Sequence, residues 1–208
     1  MDQSWAEQFV KTFVPLFIVI DAFGNLPFVL TLSQGMARKE RNKMILVAVT
    51  TAAILGLAFL FLGRLILDLM GISVGSLAIG GGLILLVLAI RYILTGQVVE
   101  VIKEEMVAVV PIGTPLTVGP ATITALLLLS TQYSIYVVLL AFAVNVAIAW
   151  LIFMLSDVVV GFLGQGGIKA LSKVFSLLLA AIAVSMILDG LNLVGVLDTD
   201  GLTGWGFL

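Results

Sequence analysis

Cysteine and histidine are both absent from the 208 residues of this chain. The absence of cysteine excludes disulfide bonds and thiolate chemistry, and without histidine the usual ligands of zinc and haem are missing as well. The side chain best suited to relaying protons near neutral pH is also lacking, so proton chemistry must fall on carboxylates. We therefore expect no metal site and no cofactor.

Charged residues are scarce too. They make up 11% of the chain, whereas hydrophobic residues make up 62%, and the formal net charge is −2. A soluble domain is closer to half apolar and a quarter charged. The apolar surplus extends along most of the chain, which predicts a polytopic protein of the lipid bilayer. The small negative charge gives no electrostatic reason to bind nucleic acid.

Six apolar segments are long enough to cross a bilayer, whose hydrocarbon core of about 30 Å needs roughly 20 helical residues. They are apolar on all sides rather than alternating, so we predict helices and an all-α fold. The predicted spans, called TM1 to TM6, cover residues 9–33, 44–67, 72–94, 106–131, 135–157 and 171–193. We expect one membrane domain over residues 1–208.

Lysine and arginine are distributed unevenly between the two predicted sides. Since positive residues favour the cytoplasm, we expect a multi-pass protein with both termini outside. The start of the chain, "MDQSWAEQFVKTF", lacks a basic region, so we interpret TM1 as a retained span rather than a signal peptide. Eight of the ten positive residues lie in or beside the loops TM1–TM2, TM3–TM4 and TM5–TM6: Arg38, Lys39, Arg41, Lys43, Arg91, Lys103, Lys169 and Lys173.

TM1 and TM4 resemble each other. TM1 contains "FVPLFIVIDAFGNLPFVLTLSQ" and TM4 contains "VVPIGTPLTVGPATITALLLLSTQ", so each has a V-P pair, an interruption by glycine and proline, and a leucine-rich end. We predict a three-helix unit over residues 9–95 that is repeated over 106–193. Because each unit has an odd number of spans, the second must enter the membrane from the opposite face, as an inverted repeat.

All prolines of the chain lie in these two segments. Proline removes a backbone N–H and clashes with the carbonyl four residues earlier, so we predict that TM1 and TM4 are broken. Exposed backbone groups at membrane depth are tolerated only inside protein or beside a wet cavity. Kinks also serve helix packing, but two matching broken helices favour a substrate site. The prolines are Pro15, Pro27, Pro111, Pro115 and Pro120.

Asp21 is the ionisable residue that we expect near mid-depth in TM1. A charge there costs at least about 2.5–3.5 kcal/mol on insertion scales, so the side chain should face the protein interior. It could bind a substrate ammonium or a cation, or carry a coupling proton. Alternatively, it caps a helix that restarts at residues 24–27.

The expected substrate site draws on both interrupted segments. Its members are polar side chains and the glycines and prolines that expose the backbone. For the threonines, hydrogen bonding to their own helix is the alternative. Asn145 in TM5 is interpreted as an interhelical contact and the glycine triplet 80–82 as a close packing surface. The predicted site residues are Asp21, Gly24, Asn25, Pro27, Gly113, Thr114, Thr117, Gly119, Pro120 and Thr122.

Three motifs carry a resemblance to a known family. "DAFGNLPF" in TM1, "AIGGGLILLVLAI" in TM3 and "PLTVGPATIT" in TM4 resemble MarC-type membrane proteins, which include the SnatA small neutral amino acid transporters. The chain departs from the usual pattern at Ala22, where relatives often have proline, and at Ala121, where they often have glycine. The resemblance implies a six-helix protein of the prokaryotic cytoplasmic membrane, made of two inverted halves.

The resemblance also implies a function. We expect secondary active transport of glycine, alanine and similar small neutral amino acids by alternating access, driven by a proton gradient or another cation such as sodium. The alternative is a passive channel or an exporter for small solutes without gradient coupling, and a homo-oligomer remains open. We do not expect an enzyme or catalytic residues, because intramembrane aspartyl chemistry needs two carboxylates at one depth and only Asp21 is clearly deep.

Overall fold

The structure is a computed structural model that describes residues 4–33, 35–95 and 118–196. Over these residues the regular secondary structure is α-helical, which confirms the predicted all-α class. The helices are α1 (Trp5–Ile20), α2 (Ala22–Leu32), α3 (Arg38–Met70), α4 (Val74–Thr95), α5 (Pro120–Gln132), α6 (Ile135–Met154) and α7 (Ser156–Leu193).

Within the described residues, five helical stretches are long and apolar enough to cross a membrane. By contrast, α5 has 13 residues, which corresponds to about 20 Å and falls short of a bilayer core. Residues 106–117 of the predicted TM4 lie outside the described residues. The six-span arrangement in two inverted halves therefore stays a prediction. The five stretches are Trp5–Leu26, Arg38–Met70, Val74–Leu94, Ile135–Met154 and Gly166–Leu193.

Two helices differ from their predicted bounds. α3 has 33 residues, so it extends about 50 Å and continues past both predicted ends of TM2. The segment 158–170, predicted as the loop between TM5 and TM6, is helical within α7 apart from a kink at Gly164, where φ is 66° and ψ is 168°. Glycine adopts this backbone conformation without the steric penalty of a side chain. Polar and glycine residues therefore mark a kink here rather than a loop.

The glycines of α4 allow it to pack closely against α7, its most extensive neighbour. A Cβ atom added at Gly75 would lie 2.9 Å from the carbonyl oxygen of Gly190, and one added at Gly82 would lie 2.8 Å from that of Ala183. Gly81 lies against the Thr124 side chain of α5 in the same way. The interpretation as a packing surface is confirmed for Gly75, Gly81 and Gly82, since small residues let membrane helices approach each other, whereas a Cβ atom added at Gly80 would meet nothing within 4 Å.

Asn145 connects α6 with α1. Its side chain is 1% exposed, and its Nδ2 donates to the carbonyl oxygens of Phe13 at 3.2 Å and Ala141 at 2.9 Å. The bond to Phe13 crosses to another helix, which confirms the interhelical interpretation.

We expect the Asn145→Ala variant to be less stable by about 0.6–1.7 kcal/mol, from the mean to the maximum of the interhelical hydrogen bonds measured in a membrane protein. Thermal unfolding in detergent measures the loss. Asn192→Ala, at an exposed position near the end of α7, serves as the control and should leave the melting temperature unchanged. Equal melting temperatures for the two variants would show that the bond to Phe13 contributes nothing to stability.

An ion pair joins the start of α3 to the start of α7. Arg41 Nη1 lies 2.8 Å from Asp157 Oδ1 and 2.7 Å from Oδ2. The Asp157 side chain is 62% exposed, so the pair contributes little to stability, typically about 0–1 kcal/mol. The ion pair shows instead that the starts of α3 and α7 lie at the same end of the helix bundle.

A capped break in the first membrane span as candidate functional site

The first apolar stretch is interrupted at a single residue. α1 ends at Ile20, Asp21 has φ 44° and ψ 58°, and α2 begins at Ala22. Asp21 is the only non-glycine residue with positive φ in the part of the chain that the structure describes. This left-handed conformation is costly for a residue with a side chain, although aspartate and asparagine tolerate it better than most. The predicted break in TM1 is confirmed.

The break lies earlier than the sequence suggested. The prediction placed the restart of the helix at residues 24–27, but α2 already begins at Ala22. Pro15 lies inside α1 and Pro27 inside α2, and neither ends its helix. A proline removes one helical hydrogen bond, which a surrounding bundle tolerates, whereas a left-handed residue redirects the chain. The backbone of Asp21 therefore makes the break, and the prolines flank it.

The Asp21 side chain caps the second half-helix. The Gly24 N–H donates to Asp21 Oδ1 at 2.9 Å, the three-residue spacing of a helix N-cap. Asp21 is 8% exposed, so its carboxylate lies inside the protein. The capping role is thus confirmed. Substrate binding and proton coupling are not excluded by it and stay predictions.

Gly24 is required by this cap. A Cβ atom built at position 24 would overlap the carboxylate of Asp21, with the nearest contact to Oδ2. A side chain at this position would therefore push the carboxylate away from the N–H that it accepts. The glycine serves close approach here, because its own φ is not positive.

Asn25 completes the other side of the break. Its Nδ2 donates to the carbonyl oxygens of Ile20 at 3.1 Å and Asp21 at 3.0 Å, and its backbone N–H also donates to Asp21. The last carbonyls of a helix lack N–H partners within the helix, and the side-chain amide of Asn25 donates to them here. Asp21, Gly24 and Asn25 therefore form one hydrogen-bonded unit. It provides partners for backbone groups at the end of α1 and at the start of α2.

Two buried hydroxyl groups approach the break from other helices. Tyr92 of α4 is 4% exposed, and its hydroxyl donates to the carbonyl oxygen of Gly24 at 3.0 Å. Ser172 of α7 is 2% exposed and lies close enough to interact with the Tyr92 hydroxyl. Neither residue was predicted as part of the site. The available signal was a polar side chain within an apolar span, which also fits helix packing.

Three phenylalanine rings pack beside the break. The ring centroids of Phe17 and Phe23, on either side of Asp21, are 6.5 Å apart. Phe175 of α7 lies 5.8 Å from Phe17 and 5.6 Å from Phe23. These separations are typical of aromatic pairs in protein cores. Phe175 thereby brings α7 into contact with the helices on both sides of the break.

TM4, the second segment that the sequence predicts to be interrupted, is described in part. Gly119 is the N-cap residue of α5, Pro120 is the first residue of that helix, and Thr122 is 2% exposed in its first turn. This half-length helix packs against α1, α3 and α4. Gly113, Thr114 and Thr117 lie outside the described residues. The structure thus brings Asp21, Gly24 and Asn25 together at one break, while their predicted proximity to TM4 stays a prediction.

These features define an all-α integral membrane protein with several spans and a capped break in the first. A family model described as the MarC family integral membrane protein matches residues 6–194. The chain belongs to this family.

Several curated proteins are similar over nearly their whole length. A UPF0056 membrane protein of Methanocaldococcus jannaschii is 30% identical over 89% of this chain and 97% of its own. One from Archaeoglobus fulgidus is 32% identical over 88% of this chain and 92% of its own. One from Buchnera aphidicola subsp. Schizaphis graminum is 30% identical, with 89% and 96% covered. No solved structure matches the chain.

Proposed function

We propose that the protein is a secondary active transporter of small neutral amino acids, with glycine and alanine as substrates. It works by alternating access and is driven by a proton gradient or another cation gradient such as sodium. The capped break in the first span carries the proposal, because discontinuous helices deep in the membrane are where many transporters bind substrate and coupling ions.

The chemistry at the break suits a zwitterion. The buried Asp21 carboxylate offers a negative charge to an ammonium group, and a charge in this position is usually functional. The carbonyls of Ile20 and Asp21 already accept from Asn25, which leaves the carboxylate as the strongest acceptor there. For the substrate carboxylate we propose the start of α5 at Gly119, since helix N-termini favour anions.

The surroundings of the break favour a small substrate. Gly24 has no side chain, Ala22 is 4% exposed, and the rings of Phe17, Phe23 and Phe175 pack on one side. A pocket built this way would reject large side chains by steric exclusion. We place the protein in the cytoplasmic membrane of a prokaryotic cell with both termini outside, because the predicted loops carry their positive charges on one side.

Uptake of labelled glycine into proteoliposomes tests the proposal. We expect saturable uptake that exceeds the equilibrium level when an inward gradient of the coupling ion is imposed. Separate proton and sodium gradients identify the ion, and competition by alanine but not by leucine tests the size limit. Flux that does not saturate and never exceeds equilibrium would instead identify a passive channel, and absence of any glycine flux would contradict the proposal.

A further inference from the structure

The side of the break that faces α4 and α7 has two hydroxyl groups with unused hydrogen-bonding capacity. The Tyr92 hydroxyl donates its one proton to the Gly24 carbonyl, so the phenol oxygen can still accept a hydrogen bond. Ser172 Oγ is buried and lies near the Tyr92 hydroxyl, but it meets the distance and angle of a hydrogen bond neither to that hydroxyl nor to any other group in the described part of the chain. An unpartnered buried hydroxyl is unfavourable, and a polar group bound beside it would remove that cost.

The charge around this pair selects the kind of group. The Asp21 carboxylate accepts from the N–H of Gly24 and the Tyr92 hydroxyl donates to the carbonyl of the same residue, so the charge and the phenol meet at one residue. The site has a carboxylate charge nearby, a phenol oxygen that can accept, and a serine oxygen that can accept or donate. This combination favours a positively charged hydrogen-bond donor and disfavours an anion.

The aromatic rings beside the pair favour the same choice. Phe175 lies three residues after Ser172 on α7, a spacing that puts both on one face of the helix. It packs with Phe17 and Phe23 around the break. The faces of aromatic rings attract cations, and more strongly where water is excluded. The nearby Ser176 hydroxyl already donates its proton to the carbonyl oxygen of Ser172 at 2.8 Å, so we leave it out of the pair.

We propose that Tyr92 and Ser172 form the subsite that binds the ammonium group of the transported amino acid, close to Asp21. The assignment rests on the proposed function and adds α4 and α7 to a site that the sequence placed in TM1 and TM4. It also orients the substrate, with its ammonium group toward α4 and α7 at the break.

The test measures glycine uptake by Tyr92→Phe and Ser172→Ala in proteoliposomes. Each variant removes one oxygen and keeps the rest of the side chain. We expect the glycine KM to rise about tenfold in each, with the ion concentration for half-maximal uptake unchanged, since a hydrogen bond to a charged group is among the stronger ones. Tyr136→Phe, at a residue 78% exposed, and Ser130→Ala, whose hydroxyl bonds its own helix at Leu127, are the matched controls.

The outcomes separate the subsite from the proposed function. An unchanged glycine KM in both variants, with the wild type active, overturns the subsite alone. A shift in the half-saturating ion concentration without a change in glycine KM overturns it as well, because the pair would then hold the coupling cation. Absence of glycine uptake by the wild type overturns the proposed function and the subsite together. Should one variant fail to fold, judged by its melting temperature, the other decides.

Discussion

The Asp21→Asn variant is expected to lose gradient-driven glycine uptake while keeping its fold. Asparagine retains an oxygen that can accept the Gly24 N–H, and it caps helices as well as aspartate does. It removes only the negative charge. Uptake should fall at least about tenfold, because hydrogen bonds to a charged group contribute about 1.5–3 kcal/mol. Uptake under an imposed gradient and the melting temperature in detergent are measured on the same preparation.

Two further variants separate charge from capping. Asp21→Ala removes both the charge and the cap, so it should also be less stable, by about 1 kcal/mol. Asp157→Asn makes the same chemical change at an exposed acid and should leave uptake unchanged. Wild-type uptake by Asp21→Asn, with reduced stability of Asp21→Ala, would mean that Asp21 is a helix cap and carries neither substrate nor proton.

The Gly24→Ala variant is expected to be destabilised and to lose transport. Its new methyl group would occupy the position of the Asp21 carboxylate, which must then move and give up the Gly24 N–H. Overpacking at a buried position typically costs about 1–3 kcal/mol. Uptake should fall to the level of Asp21→Ala, since both changes remove the carboxylate from its place. Thermal unfolding and glycine uptake report the two effects.

A double-mutant cycle identifies the cause of that loss. In the Asp21→Ala background the carboxylate is absent, so adding Gly24→Ala should cost little further stability. We expect an interaction energy of at least about 1 kcal/mol between the two positions, within the range for residues in contact. If Gly24→Ala were equally destabilising in both backgrounds, the glycine would be needed for something other than the approach of the carboxylate.

The existence of the break was predictable from sequence, but its position was not. Aspartate, glycine and asparagine within five residues of an apolar span already indicate an interruption. Proline is the strongest local signal and predicts the wrong cause, because α1 continues through Pro15 and α2 through Pro27. The left-handed conformation of Asp21 depends on the bonds made by Gly24 and Asn25 together, and no single residue type signals it.

The rest of the site depends on tertiary contacts. Tyr92 lies 68 residues after Gly24 in the chain, and its hydroxyl reaches the Gly24 carbonyl only because α4 lies beside the break. Ser172 lies near the predicted start of TM6, where a serine is unremarkable. Local periodicity reveals which segments are helices and which are apolar, but it does not reveal which helices meet. Both hydroxyls therefore required the structure.

The close contact between α4 and α7 has a consequence for motion. Gly75 and Gly82 of α4 meet Gly190 and Ala183 of α7, so the two helices touch at backbone level two turns apart along each. Sliding one past the other would force these contacts apart, because tightly packed elements do not deform continuously. α4 and α7 should thus travel as one rigid body, although they belong to different predicted halves. If the proposed alternating access holds, the moving body that contains α4 and α7 would combine helices from both predicted halves.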